Sequence, residues 1–111
     1  MHQGIYDKLK SVARSGTTIT YSEIAPLADL DMSNPADRTE IRRILCEIST
    51  VEHRLGYPML SAAVVHQEDG IPGQGFFALA RELGVYDGHD HLQFFVTELK
   101  KVHKQWRQIK A

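Results

Sequence analysis

Thr17-Thr18-Ile19-Thr20-Tyr21-Ser22-Glu23-Ile24-Ala25-Pro26 is the stretch that decides how the first half of the chain folds. Its β-branched start, Thr17 to Thr20, suits a small strand or an extended link, because branched side chains pack well on a pleated surface. Thr20-Tyr21-Ser22-Glu23 then reads as a capping box, with the Thr20 hydroxyl accepting a first-turn N–H and Glu23 reaching back. The helix it opens is expected to turn Ile24 and Leu27 inward. Pro26 removes a backbone donor near the second turn, so that helix is short or kinked.

Before this stretch, Ile5, Leu9 and Val12 fall at i, i+4 and i+7 with Tyr6 alongside, which predicts a helix from about His2 to Ser15. Gly16 offers the left-handed conformation that a helix end favours. After it, Ala28 to Met32 is a connection, and Ser33-Asn34-Pro35 is a second start signal, with Asn34 as cap and Pro35 at the first helical position. Ile41, Ile44, Leu45, Ile48, Val51 and Leu55 then keep helical spacing up to Gly56, while Arg38, Glu40, Arg42 and Arg43 fall off that stripe. Pro58 stops the helix, and Leu60 to Val65 suits a buried strand. A turn at Gln67 to Gly70 and the glycine-rich run Gly70 to Gly75 lead to a short helix, Phe76 to Leu83, stopped by Gly84. Asp90 or His89 caps a long last helix with the apolar stripe Leu92, Phe95, Val96, Leu99, Val102, Trp106 and Ile109, and with Lys100, Lys104 and Arg107 opposite. The expected fold is a mostly helical α+β domain, one unit over residues 1–111, winged helix-turn-helix-like with a small strand or hairpin and a long C-terminal helix.

Composition agrees with one such unit. The 111 residues, 42% hydrophobic and 24% charged, sit near the globular average and exclude wholesale disorder. One cysteine, Cys46, excludes an internal disulfide and any Cys-based zinc cluster, and points to a reducing, cytoplasmic setting. No apolar run approaches the ~20 residues of a membrane helix, and the Met1 segment is too polar for a secretory signal. The net charge of −1 hides a segregation. Residues 57–91 hold five acids against Arg81, a local −4, and residues 92–111 hold five bases against Glu98, a local +4. A basic last helix complements its own macrodipole, and it also offers a face to an anionic partner.

Two short helices, a strand and a Gly-bearing turn follow the order of a winged helix-turn-helix, with the Pro35 helix as recognition helix and His66 to Phe76 as wing. Arg38, Arg42 and Arg43 would reach phosphates or guanine edges, and Lys100, Lys104 and Arg107 would add backbone contacts. Thr18-Ile19-Thr20-Tyr21-Ser22-Glu23-Ile24-Ala25 resembles the T-T-Y-G-E-I-A opening of the DNA-binding domain of alkylguanine-DNA alkyltransferases and alkyltransferase-like proteins. Arg42-Arg43-Ile44 sits where that family has its R-A-V segment. The resemblance implies that Tyr21 and Arg42 help rotate a nucleotide out of a duplex; Ser22 is a further expected DNA contact beside Tyr21, Arg38, Arg42 and Arg43. The family's reactive P-C-H-R segment has no counterpart, because the chain reads Pro58-Met59-Leu60-Ser61 there and Cys46 lies on a helix instead. Alkyl transfer to a thiolate is therefore not expected.

Other chemistry is thinner. Glu47, His53 and His66 are the candidate catalytic groups of a small enzyme, but their spacing forms no recognised metal or acid–base motif. Glu47 and Glu52 read as solvated partners of Arg43 and nearby bases. His89-Asp90-His91 offers metal-ligand types, yet capping by Asp90 accounts for it. The Gly70 to Gly75 run lacks the Lys-Ser/Thr of a phosphate loop and reads as a tight turn that lets Phe76 and Phe77 reach the core. Cys46 reads as half-buried packing. No cofactor or metal is expected. A third reading is a protein-interaction module that uses the last helix, with self-association through Phe94.

Overall fold

The computed structural model describes residues 1–108. Five α-helices, α1 (Gln3–Arg14), α2 (Tyr21–Ile24), α3 (Pro35–Arg54), α4 (Gln74–Glu82) and α5 (His91–Gln108), enclose two short strands, β1 (Ile19–Thr20) and β2 (Val64–Val65). The protein is thus a mostly helical α+β fold, and Ile109 lies outside the described residues.

Local chemistry sets most of these limits. His2 caps α1 by accepting the Ile5 amide on Nδ1, and Ser15 ends the helix before Gly16 turns left-handed at φ +69°. The capping box forms as expected. Thr20 Oγ1 accepts the Glu23 amide at 3.2 Å, and Glu23 Oε1 accepts the Thr20 amide at 3.1 Å. Pro26 ends α2 after one turn, and Ala25–Ala28 continues as a 3-10 helix. That tighter winding buries Ala25 and leaves Leu27 exposed, so Leu27 does not point inward as its spacing suggested. Asn34 accepts the Ala36 amide, and Pro35 stands at the first position of α3.

The segment after Pro58 departs most from expectation. Leu60–Ala63 is a 3-10 turn, and only Val64–Val65 is strand. The reason is local: Leu-Ser-Ala-Ala carries no β-branched side chain, and the Ser61 amide bonds Ser49 Oγ on α3 rather than a neighbouring strand. The two valines pair with β1 in parallel, Ile19 with Val64 and Thr20 with Val65. His66 to Phe76 holds no strand. A turn there is closed by the His66 amide on the Ile71 carbonyl (2.9 Å) and the Gly70 amide on the His66 carbonyl (2.8 Å).

Leu60 to Val65 is buried throughout, with α1, α3 and α5 packed against its 3-10 turn. Ile5, Leu9, Ile44, Ile48, Phe76, Val102 and Trp106 close the core around it. Each such side chain contributes roughly 1.5–3 kcal/mol by leaving water. Two acids also enter this core. Glu98 occupies a buried position of α5 because its Oε2 accepts the Met59 amide at 2.8 Å. That rotates the buried line of α5 onto Phe95, Glu98, Val102 and Trp106, and turns Leu92 and Val96 to solvent. Leu55, at the end of α3, is also exposed.

Glu52 is the second correction. It is not a solvated partner of Arg43 but a fully buried residue, 0% exposed. Neither carboxylate oxygen has a hydrogen-bond partner among the described residues. The Tyr6 hydroxyl lies beside it. Burial, and then the Glu52 carboxylate, push the Tyr6 hydroxyl up to about 12. The folded state therefore favours the neutral phenol. This stabilisation is complete below about pH 10, the ordinary tyrosine value, and fades as pH rises from there to about 12. Unfolding midpoints recorded between those limits should fall faster for the parent than for Tyr6→Phe; parallel curves would remove Tyr6 from the alkaline limb.

Candidate functional site

A cavity of about 650 Å³ opens between α2, the N-terminal half of α3 and the start of α4. The capping box places Tyr21 and Ser22 at its rim, since it fixes where α2 begins. On α3, Arg38, Arg42 and Cys46 succeed one another at i+4 and share one face along the wall. Ile41, Leu45, Phe76 and Leu79 supply apolar lining, and Ser61, His66 and Gln74 add polar groups.

Tyr21 is held rigidly. Its hydroxyl accepts the Gly73 N–H at 2.9 Å, and its ring lies 4.7 Å from that of His66 at 37°. Burial pushes the Tyr21 hydroxyl up, partly countered by the Gly73 amide and by Arg42. Burial likewise pushes the Cys46 thiol up against the pull of Arg42. Both groups are therefore uncharged at neutral pH, and Cys46 is not poised as a thiolate nucleophile.

The arginines differ in their partners. Arg43 is tied to Glu40 by two bonds, Nε to Oε1 at 2.7 Å and Nη2 to Oε2 at 2.8 Å, and does not line the cavity. Arg38 donates to the Met32 carbonyl at 3.0 Å. Among the described residues no carboxylate lies within ion-pair distance of Arg38 or Arg42. The aliphatic part of Arg42 crosses Gly75 so closely that an added Cβ would stand 2.9 Å from its Cδ and 3.0 Å from its Cγ. Glycine at 75 thus sets where the guanidinium sits, a role the sequence did not disclose because the two residues are thirty-three apart in order and adjacent only in space. Gly75→Ala should leave the fold intact, since Ala is preferred to Gly in a helix by up to about 1 kcal/mol, yet displace Arg42. Circular dichroism and ligand titration of this variant separate the two effects; unchanged stability and unchanged binding together would show that Arg42's position is immaterial.

The structure brings Tyr21, Ser22, Arg38, Arg42 and His66 to this one cavity. Lys100 and Lys104 are exposed on α5, and the Arg107 guanidinium lies against Gly16 at the end of α1. Glu47 faces the Met1 amine at 3.5 Å, and His53 sits in the last turn of α3. Neither joins His66, so the three candidate catalytic groups share no cleft. Asp90 accepts the Gln93 amide at 3.1 Å as a cap, and His91 packs on Phe77. Among the described residues no three His, Cys, Asp or Glu side chains come together as metal ligands. Phe94 is half-buried and stacks on Tyr86 at 4.7 Å, so its ring is engaged within the chain. Ser61 was missed in the sequence because its run reads as strand. Its hydroxyl accepts that of Ser49 at 2.6 Å on the buried side of the cavity wall.

Comparisons with family models, curated proteins and solved structures found no match. No described helix is long and apolar enough to cross a membrane.

Proposed function

We propose that this protein is a non-catalytic domain of winged-helix type that binds duplex DNA through the Tyr21–Arg42 cavity face, in a cytoplasmic setting. In this reading α3 is the recognition helix, and the His66 to Phe76 turn takes the place of a wing. The observation that carries it is the convergence of Tyr21, Ser22, Arg38 and Arg42 on one concave surface, where Glu68 also lines the cavity but no carboxylate comes within ion-pair distance of either guanidinium among the described residues. Unpaired guanidinium groups suit phosphate oxygens and the O6/N7 edge of guanine, which take two parallel hydrogen bonds. Exposed Lys100 and Lys104 on α5 are backbone anchors in the same reading. A net charge near zero sets a modest affinity that depends on this local patch.

The test is binding of a labelled random duplex as salt is raised. About six phosphate contacts give a log–log slope near −5, because each releases close to one counterion. No binding at low salt would end the DNA reading.

A further inference from the structure

We propose that the same cavity takes a free nucleoside monophosphate, with the base on its apolar lining and the phosphate on the Arg38–Arg42 edge. The cavity is larger than a phosphate contact requires. At about 650 Å³ it falls within the range of small-molecule sites, roughly 300–1,000 Å³. Its lining is also two-sided. Ile41, Leu45, Phe76 and Leu79 offer an apolar bed for a flat ring, and the Arg38 and Arg42 guanidinium groups, which no carboxylate reaches within ion-pair distance among the described residues although Glu68 lines the same cavity, offer a dianion its partner.

Ser61 supplies a third element. It is only 5% exposed and lines the cavity. The Ser49 hydroxyl donates to Ser61 Oγ at 2.6 Å, and Ser49 Oγ accepts the Ser61 amide at 3.0 Å. The mutual bond uses one of the two hydroxyl protons and leaves the other without an acceptor among the described residues, and Ser61 is the hydroxyl of the pair that lines the cavity. A buried donor of this kind is satisfied by a ring carbonyl or imino nitrogen, which a nucleobase presents and a plain aryl group does not. Ring, acceptor edge and phosphate together describe a nucleotide. The binding claim stands alone; competition between this ligand and duplex rests on the DNA-binding reading.

The experiment is isothermal titration of the whole chain with each of the four common ribonucleoside monophosphates and with inorganic phosphate, followed by displacement of a labelled duplex. At least one nucleotide should bind saturably, at least tenfold more tightly than inorganic phosphate. Arg42→Ala should weaken it tenfold or more. Ser61→Ala should weaken it severalfold while leaving inorganic phosphate unaffected. Arg42 is an exposed side chain, so its variant keeps the test decisive should Ser61→Ala disturb the fold. The bound nucleotide should displace duplex at its own dissociation constant. Duplex binding without any nucleotide binding overturns this inference and leaves the DNA reading standing. Nucleotide binding without duplex binding does the reverse. Nucleotide binding that neither substitution changes places the ligand elsewhere and overturns the inference.

Discussion

On the proposed DNA reading, Arg42→Ala is expected to lower duplex affinity by roughly 1–3 kcal/mol, the range for an arginine that reads a base edge, while Arg43→Ala is expected to change it by no more than about 0.5 kcal/mol. The two residues are adjacent and chemically identical, so only their surroundings separate them. Arg43 is held by Glu40 through two bonds at 2.7 and 2.8 Å, which already compensate its charge. Arg42 lines the cavity beside Gly75 with no carboxylate partner among the described residues. Both side chains are exposed, so neither replacement should alter folding. Fluorescence anisotropy with one duplex and both variants decides the point. Equal losses would mean that bulk charge alone drives binding and that the cavity has no special part.

Glu52→Met stabilises the fold at neutral pH by about 1–3 kcal/mol, the cost of a buried polar group that makes no hydrogen bond. Glu52 is fully buried, and neither oxygen has a hydrogen-bond partner among the described residues; losing the carboxylate beside the Tyr6 hydroxyl offsets part of the gain. Methionine is close to it in length and brings no polar atom. Glu98 is the internal contrast. It is also buried, but its Oε2 accepts the Met59 amide, so Glu98→Met leaves that amide unsatisfied and destabilises by a comparable amount. Urea unfolding of the two variants should therefore move in opposite directions. A destabilised Glu52→Met would show that its carboxyl is engaged in the fold after all.

These two acids also explain what could be read from the sequence and what could not. The helix starts were legible because they depend on a few neighbouring residues: Thr20 with Glu23, and Asn34 with Pro35. The long stripe of α3 was legible through Ile48 because helical periodicity is local. Glu52 and Glu98 broke the rule that carboxylates mark the surface, since each occupies a place created by another element, α1 for one and Met59 for the other. Once Glu98 is counted as core, the exposure of Leu92 and Val96 follows. The strand expected over Leu60 to Val65 shortened for a similar reason: an apolar run of that length suits any fully buried conformation, and Ser49 on α3 selected the 3-10 turn. At the site, Tyr21, Ser22, Arg38 and Arg42 were named from the sequence, but Ser61, Gly73 and Gly75 enter only through contacts across the fold.

The most direct test of the cavity face as a DNA site compares salt dependence in the parent and in the Arg38→Ala/Arg42→Ala double variant. Binding of a random duplex is followed from about 50 to 200 mM salt. The account predicts a parent slope near −5 and a double-variant slope shallower by about 1, since Arg38 is lost as a phosphate contact, each of which is worth close to 0.9, while Arg42 reads a base edge. Identical slopes, or no binding by the parent at the lowest salt, would contradict it.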